Sequence, residues 1–336
     1  MTNRRFFSFI VVLVFLFQLF GLAACTRDKE KKEAAGQHKE LEKITIAQFG
    51  HLFVYLPIYV AKNKGFFKEE GLDVTYVSTG GDEKTWAAVT SGSAQFGVAD
   101  PTFVAIARER GDNSGRIIAS IIDGVPFWGI SKKVLSYIKD PQGLNGYKIA
   151  TYPAPSTNFA LMSRLIKQHN LDSRVVQGAF GTLLAMLQND QADIAMVLEP
   201  TVSLSTVKQG YHVVFSYKDI YGDFALTGLS TTTTYINAHP DICQKVVNAL
   251  QKAYRFVYSN FDGVVEVAQA EFPDFPSEVI RLGVKRMIDD KTIPRSVLVK
   301  ETSWNEAVAL RQYIGDLKGN APFRDNVDNR FARKGL

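Results

Sequence analysis

Four carboxylates give the first chemical signal in this chain. Asp82 and Glu83 follow the glycine pair Gly80-Gly81, Asp100 stands in FGVADPTF, and Glu199 stands in AMVLEPTV. Asp100 and Glu199 each close an apolar run of strand type, residues 96–99 and 194–198, and each is followed by Pro-Thr. An acid before Pro at a helix start is good capping chemistry, so a cap alone would account for Asp100. Several acids aimed at one cleft would do something else. They would accept hydrogen bonds from N–H or amino donors and repel an anion. Lys84 is the one cation beside them in the sequence.

Motifs of catalysis, metal binding and cofactor binding are missing from the sequence. Its five histidines (His38, His51, His169, His212 and His239) show no metal-ligand spacing. Gly-x-Ser-x-Gly, P-loop and dinucleotide fingerprints are not found. Cys25 and Cys243 are the two cysteines, and Cys243 sits in an apolar helical pattern that suits a buried, inert thiol. The formal net charge is +5, with both signs mixed along the chain and no basic stripe, which argues against nucleic acid. With an apolar share of 46%, the 336 residues are enough for well-packed cores in two lobes of ordinary size.

The carboxylates recur because the elements around them recur. KITIAQFG, YLPIYVAKNKGFF and GLDVTYV read as strand, helix, strand; YKIATYPA, STNFALMSRLIKQH and NLDSRVVQ read the same way about 100 residues later. Next, Gly80 overlays Gly178 and Phe96 overlays Ile194 without a gap. One extra residue then brings Asp100-Pro101-Thr102 onto Glu199-Pro200-Thr201. Helices between apolar strands predict right-handed βαβ crossovers and parallel sheets. The expected fold is α/β, with two doubly wound lobes joined by two crossing segments. The chain is expected to cross near Trp128 and to return near Ala225. Lobe 1 then comprises residues 43–127 and 226–320, lobe 2 residues 128–225, and 321–336 form a C-terminal tail. FALTGLSTTTTYI reads as a strand, and 241–260 as an amphipathic helix begun by His239-Pro240-Asp241.

In open α/β sheets a ligand sits beyond the carboxyl ends of the strands, which selects the candidate site. From lobe 1 these are Phe49, His51, Phe53, Gly80, Gly81, Asp82 and Asp100; from lobe 2, Tyr152, Ser156, Thr157 and Glu199; at the crossings, Trp128 and Thr227. Each has a second reading. His51, Phe53 and Tyr55 could pack under the first helix, and the glycines could serve a tight turn. Ser156 and Thr157 could only cap a helix, although that terminus also offers N–H groups to an anion. Trp128 is either a buried hinge residue or a ring that stacks on a planar ligand.

The N-terminus carries a targeting pattern. Arg4 and Arg5 precede an uncharged run over 6–24, the layout of a secretory signal. Its exit, Leu22-Ala23-Ala24-Cys25, resembles a bacterial lipobox, which implies a signal peptide over 1–24 and lipidation of Cys25. The alternative is a retained anchor helix, for which the run is long enough. Residues 25–42 are charged and lack aromatics, as a flexible tether would be.

With LPIYVAKNKGFFKEEGLDVTYVSTGG, ADIAMVLEPTV and TTTTYINAHPDICQKVVNALQKAYRFVYSN, the chain over about residues 43–320 resembles periplasmic-binding-protein-like II proteins. Specifically, it resembles the binding proteins for nitrate, alkanesulfonates, taurine and thiamine-precursor pyrimidines. That resemblance implies a monomeric binding protein without catalytic or metal residues or a cofactor. It would deliver a small molecule to the permease and ATPase of an ABC importer. With the lipobox it would be lipid-anchored at the outer face of the cytoplasmic membrane. Its aromatic and acidic site residues suit a pyrimidine-like or other heteroaromatic ligand, the competing ligand being a sulfonate or nitrate held by helix N-termini. A lipid-anchored sensory module would use the same binding chemistry. Enzymes on this fold are a further alternative, but the cysteine-rich iron segment of the fungal relatives is missing here.

Overall fold

The computed structural model describes residues 40–112 and 115–334. The lipobox cysteine, the signal sequence and all but the end of the tether lie outside the described residues. Two five-stranded sheets share one topology. In the first, β1 (Glu42–Gln48), β2 (Leu72–Ser78), β3 (Phe96–Ala99), β4 (Gly115–Asp123) and β10 (Ala225–Thr232) run in the order β2-β1-β3-β10-β4. In the second, β5 (Trp128–Ser131), β6 (Lys148–Thr151), β7 (Arg174–Gln177), β8 (Ile194–Val197) and β9 (His212–Ser216) run β7-β6-β8-β5-β9. The parallel trio β2-β1-β3 matches β7-β6-β8. Each sheet is completed through an antiparallel strand that has just crossed from the other: β10 beside β3, β5 beside β8.

The two crossings lie between β4 and β5 and between β9 and β10, and they touch: Gly124 N–H donates to Phe224 O at 2.7 Å. Close strand packing explains a glycine in each antiparallel strand. A Cβ on Gly129 would stand 3.0 Å from Ile194 and Phe215, and one on Gly228 would stand 2.9 Å from Ile117 and 3.1 Å from Pro101. All four residues of β3 and all four of β8 are buried. Burying their larger apolar side chains, Phe96, Val98, Ile194, Met196 and Val197, contributes about 1.5–3 kcal/mol each. The two acid-Pro-Thr turns are therefore mounted on fully buried strands.

The strand expected over FALTGLSTTTTYI is shorter than the sequence pattern suggested. β10 ends at Thr232, and Thr233–Ala238 is helical. Thr232 Oγ1 accepts from Tyr235 N at 3.1 Å, so a threonine run that favours strand also supplies the cap that stops it. Downstream, Pro240–Ser259 is the expected amphipathic helix, with Pro240 in its first turn. It packs on the Leu56–Asn63 helix of the first sheet's layer. Two later helices reach across to the second layer: Ser277–Asp289 packs on Thr201–Gln209, and Glu301–Ile314 packs on Thr157–Gln168. Among the described residues, no helix is long and apolar enough to cross a membrane.

Candidate functional site

A cavity of about 410 Å³ lies between the two sheets, at the carboxyl ends of their parallel strands. Its walls carry the aromatic rings of Phe49, Tyr55, Phe103, Phe127, Tyr152 and Phe180. Tyr152 lies 5.0 Å from Phe180 and 6.1 Å from Phe127, ring centre to ring centre. Polar groups enter from Gly81-Asp82, Asp100, Ser156-Thr157, Thr227 and Arg311.

Asp82 opens the Asp82–Thr90 helix, and its Oδ1 accepts the backbone N–H of Asp100 at 3.0 Å. No hydrogen bond to Oδ2 is formed among the described residues. Burial, reinforced by the neighbouring Asp100 charge, pushes the Asp82 pKa up to about 6, against the pull of the Asp100 N–H and Arg311. The Tyr55 hydroxyl lies in the same field. Burial, then Asp82, raises its pKa far above the ordinary value, so it remains a donor. It too lacks a hydrogen-bond partner among the described residues.

Asp100 is 8% exposed and makes its cap: Oδ1 accepts from Thr102 N at 2.8 Å and from Thr102 Oγ1 at 2.5 Å. Its other oxygen does more. Oδ2 takes Arg311 Nη2 at 2.5 Å and, from the other lobe, Thr157 Oγ1 at 3.3 Å. Arg311, from Glu301–Ile314, is 2% exposed, and every one of its five N–H donors is used. Nε reaches Thr102 Oγ1; Nη1 reaches Pro155 O and Asp316; Nη2 reaches Asp100 and Thr157 Oγ1. Burial would lower its pKa, but Asp100, Asp316 and Asp82 raise it above the ordinary value, so it stays a cation. The guanidinium is thus a strap between the lobes with no donor left over for a ligand.

Of the residues expected from the sequence, Phe49, Gly81, Asp82, Asp100, Tyr152, Ser156, Thr157 and Thr227 line this cavity. Ser156 both lines it and caps the Thr157–Gln168 helix, its Oγ accepting from Phe159 N at 3.2 Å. Five do not line it. Gly80 serves the turn, with φ +80° and its N–H donated to Phe49 O. His51, Phe53 and Glu199 line a neighbouring cavity instead. Trp128 lines neither of these two cavities. It is 1% exposed in the middle of the second sheet, and its indole N–H donates to Asp290 Oδ2 at 2.6 Å. Buried, hydrogen-bonded to Asp290 and outside both linings, the ring presents no face to either cavity here, which suits the buried hinge reading.

The charge balance also differs from the sequence expectation of several acids against Lys84 alone. Asp100 is paired with Arg311. Glu199 is paired with Arg286 of Ser277–Asp289, Nε to Oε1 at 2.7 Å, and also receives Ser203 N and Oγ. Burial still raises the Glu199 pKa, with Arg286 and Ser203 opposing. Both arginines come from helices far along the chain. In the sequence, Arg311 shares only a helical spacing with Trp304 and Ala307, all three buried, and Arg286 has no such mark.

The sequence pattern of the family described as NMT1/THI5 like matches residues 53–262. The putative binding protein YtlA of Bacillus subtilis (strain 168) is 23% identical over 326 residues, 95% of this chain and 94% of that one. Two solved structures share the fold. One is a ligand-binding component of an ABC-type import system from Staphylococcus aureus, solved with zinc bound (TM-score 0.68, 14% identity, 88% of this chain and 99% of that one). The other is the alkanesulfonate-binding protein SsuA from Xanthomonas axonopodis pv. citri bound to MOPS (TM-score 0.65, 16% identity, 86% and 99%).

Proposed function

The chain belongs to the NMT1/THI5-like family, and from that membership we propose that it is the solute-binding component of an ABC import system. It captures a small molecule between its two lobes and presents it to the permease, acting as a monomer without chemical change to the solute. Support for a binding role comes from the likeness to YtlA, and for the import role from the likeness to the import-system component of S. aureus. The lobes are taken as 43–127 with 226–320, and 128–225. Lipidation of Cys25 would hold the protein at the outer face of the membrane. If so, Cys25→Ser releases it to the soluble fraction on cell fractionation, whereas retention would favour an anchor helix.

The ligand is a neutral or cationic heteroaromatic molecule bearing N–H donors. One observation carries this: the cavity offers aromatic walls, a free acceptor on Asp82 and a free donor on Tyr55, while its buried cation is saturated. An anion would find Lys84 at the rim and the N-terminus of Thr157–Gln168, but also Asp82 and Glu83. The sulfonate reading is kept as second because SsuA, a structural neighbour, was solved with MOPS bound. Mass spectrometry of whatever copurifies with the full chain tests the choice. A nitrogen heterocycle is expected, and recovery of a sulfonate or nitrate would overturn it.

A further inference from the structure

His51, Phe53 and Glu199 lie together in a second cavity of about 440 Å³ next to the first. The two share Leu52, Tyr152, Phe180 and Leu198 in their linings. Beyond these residues the second cavity carries apolar side chains on both sides. Leu183, Leu184 and Leu204 face it from one lobe; Phe53, Phe272 and Phe275 face it from the other. Apolar surface of this kind gains by being covered.

The carboxylates of the second cavity have no lysine or arginine beside them in its lining. The Glu199 carboxylate is already filled by Arg286 and Ser203. His51 stacks on Phe272, ring centres 4.7 Å apart, and its Nε2 lies 3.1 Å from the Glu271 carbonyl oxygen and 3.4 Å from the carboxylate. Nε2 is therefore the protonated nitrogen, facing two acceptors. The Glu271 carboxylate also accepts Asn63 Nδ2 at 2.6 Å, and Asp274 stands exposed beside it. An anionic group entering here would meet Glu271 and Asp274 with no lysine or arginine in the lining.

We propose that the second cavity is a subsite for an apolar extension of the ligand, ending in an uncharged or cationic group. The transported solute is then a head-and-tail molecule, with a planar polar head in the first cavity and an apolar arm that passes the shared Leu52, Tyr152, Phe180 and Leu198 into the second. The inference rests on the first cavity holding a heteroaromatic head.

Calorimetry with two probes separates the two claims. One probe is 4-amino-2-methylpyrimidine; the other is the same ring carrying a 3-phenylpropyl arm at carbon 5. The full chain is expected to bind the armed ring at least about tenfold more tightly than the bare ring, the gain that burying roughly 60 Å² of apolar surface provides. Leu184→Trp and Leu204→Trp, both half-buried positions outside the first cavity, fill the second one. Each is expected to abolish the gain from the arm while the bare ring binds as before. Equal affinity for both probes in the unaltered protein, or a gain that survives both substitutions, overturns the subsite and leaves the head site standing. If neither probe binds, the heteroaromatic head site falls, and the subsite with it.

Discussion

Asp100 and Glu199 stand at equivalent ends of equivalent strands, before the same Pro-Thr, and do different work. Both cap the helix that follows, but the shorter aspartate reaches Thr102 and the longer glutamate reaches one turn on to Ser203. Both hold an arginine from a C-terminal helix that spans the lobes. Asp100 shares its arginine with Thr157 and Pro155 across the cleft and borders the cavity between the sheets. Glu199 is turned to the adjoining cavity, and its partner Arg286 keeps a side-chain exposure of 25% against 3% for Arg311. A repeated motif therefore keeps its capping role in both lobes, while its neighbours decide which cavity it borders. Asp82, whose carboxylate receives the Asp100 N–H, has no acidic counterpart at the aligned Ala179-Phe180 of the second lobe.

The sharpest way to break the comparison is to remove the two arginines separately. Arg311→Met leaves a buried Asp100 without its cation and cuts five hydrogen bonds. The expected loss is about 3–5 kcal/mol in urea unfolding, partly recovered by adding Asp100→Asn. A loss below about 1 kcal/mol would show that the strap does not hold the lobes. Arg286→Met should cost less, about 1–3 kcal/mol, because water replaces part of a more exposed partner. Its deficit should also depend on pH. The folded-state pKa of Glu199 is already raised, and losing Arg286 raises it further. The stability gap between variant and parent is thus largest at neutral pH and shrinks as acid protonates Glu199 in the folded state. A gap that grows in acid would mean that Arg286 acts on something other than Glu199.

The lobes, their strand ends and the acid-Pro-Thr pair were legible in the sequence because each depends on local periodicity and turn chemistry. Phe49, Asp82, Tyr152 and Thr157 followed from strand-end position alone. Arg311 and Arg286 did not, since an inward arginine on a late helix resembles any polar helix residue, and its partner lies more than 80 positions away. Trp128 was expected at the cleft and lies outside both linings for a related reason. Proximity to a crossing was visible, but β5 is flanked on both sides, by β8 and β9, which only the completed sheet reveals. The second cavity was invisible because it is made by a loop at Glu271–Phe275 closing on the opposite lobe.

A finer test bears on what faces the cavity. With the Asp82 pKa near 6, a ligand that donates a hydrogen bond to its carboxylate should bind about tenfold more tightly at pH 7 than at pH 5. An anion should show the opposite slope, and Asp82→Asn should flatten either one. Of the groups around it, Arg311 and Tyr55 both have raised pKa values and keep their protons in that window. No slope at all in the parent protein would place the ligand away from Asp82.

The smallest expected effect on affinity separates the Glu199 side of the molecule from ligand recognition. Trp128→Phe puts a smaller buried ring in place of the indole and removes one hydrogen bond to Asp290, whose pKa burial already raises and whose indole partner holds it down. Stability should fall by about 1–3 kcal/mol, from the bond to a carboxylate and the space left by the smaller ring. The loss should shrink in acid as Asp290 takes up a proton. Affinity for the bare pyrimidine ring should not change, because Trp128 touches neither cavity. A tenfold loss of affinity with unchanged stability would return Trp128 to the binding site, and would mean that the crossing rearranges when ligand enters. The same result would weaken the contrast between the two turns, since Asp290 and Arg286 belong to one helical segment and would then report on ligand together.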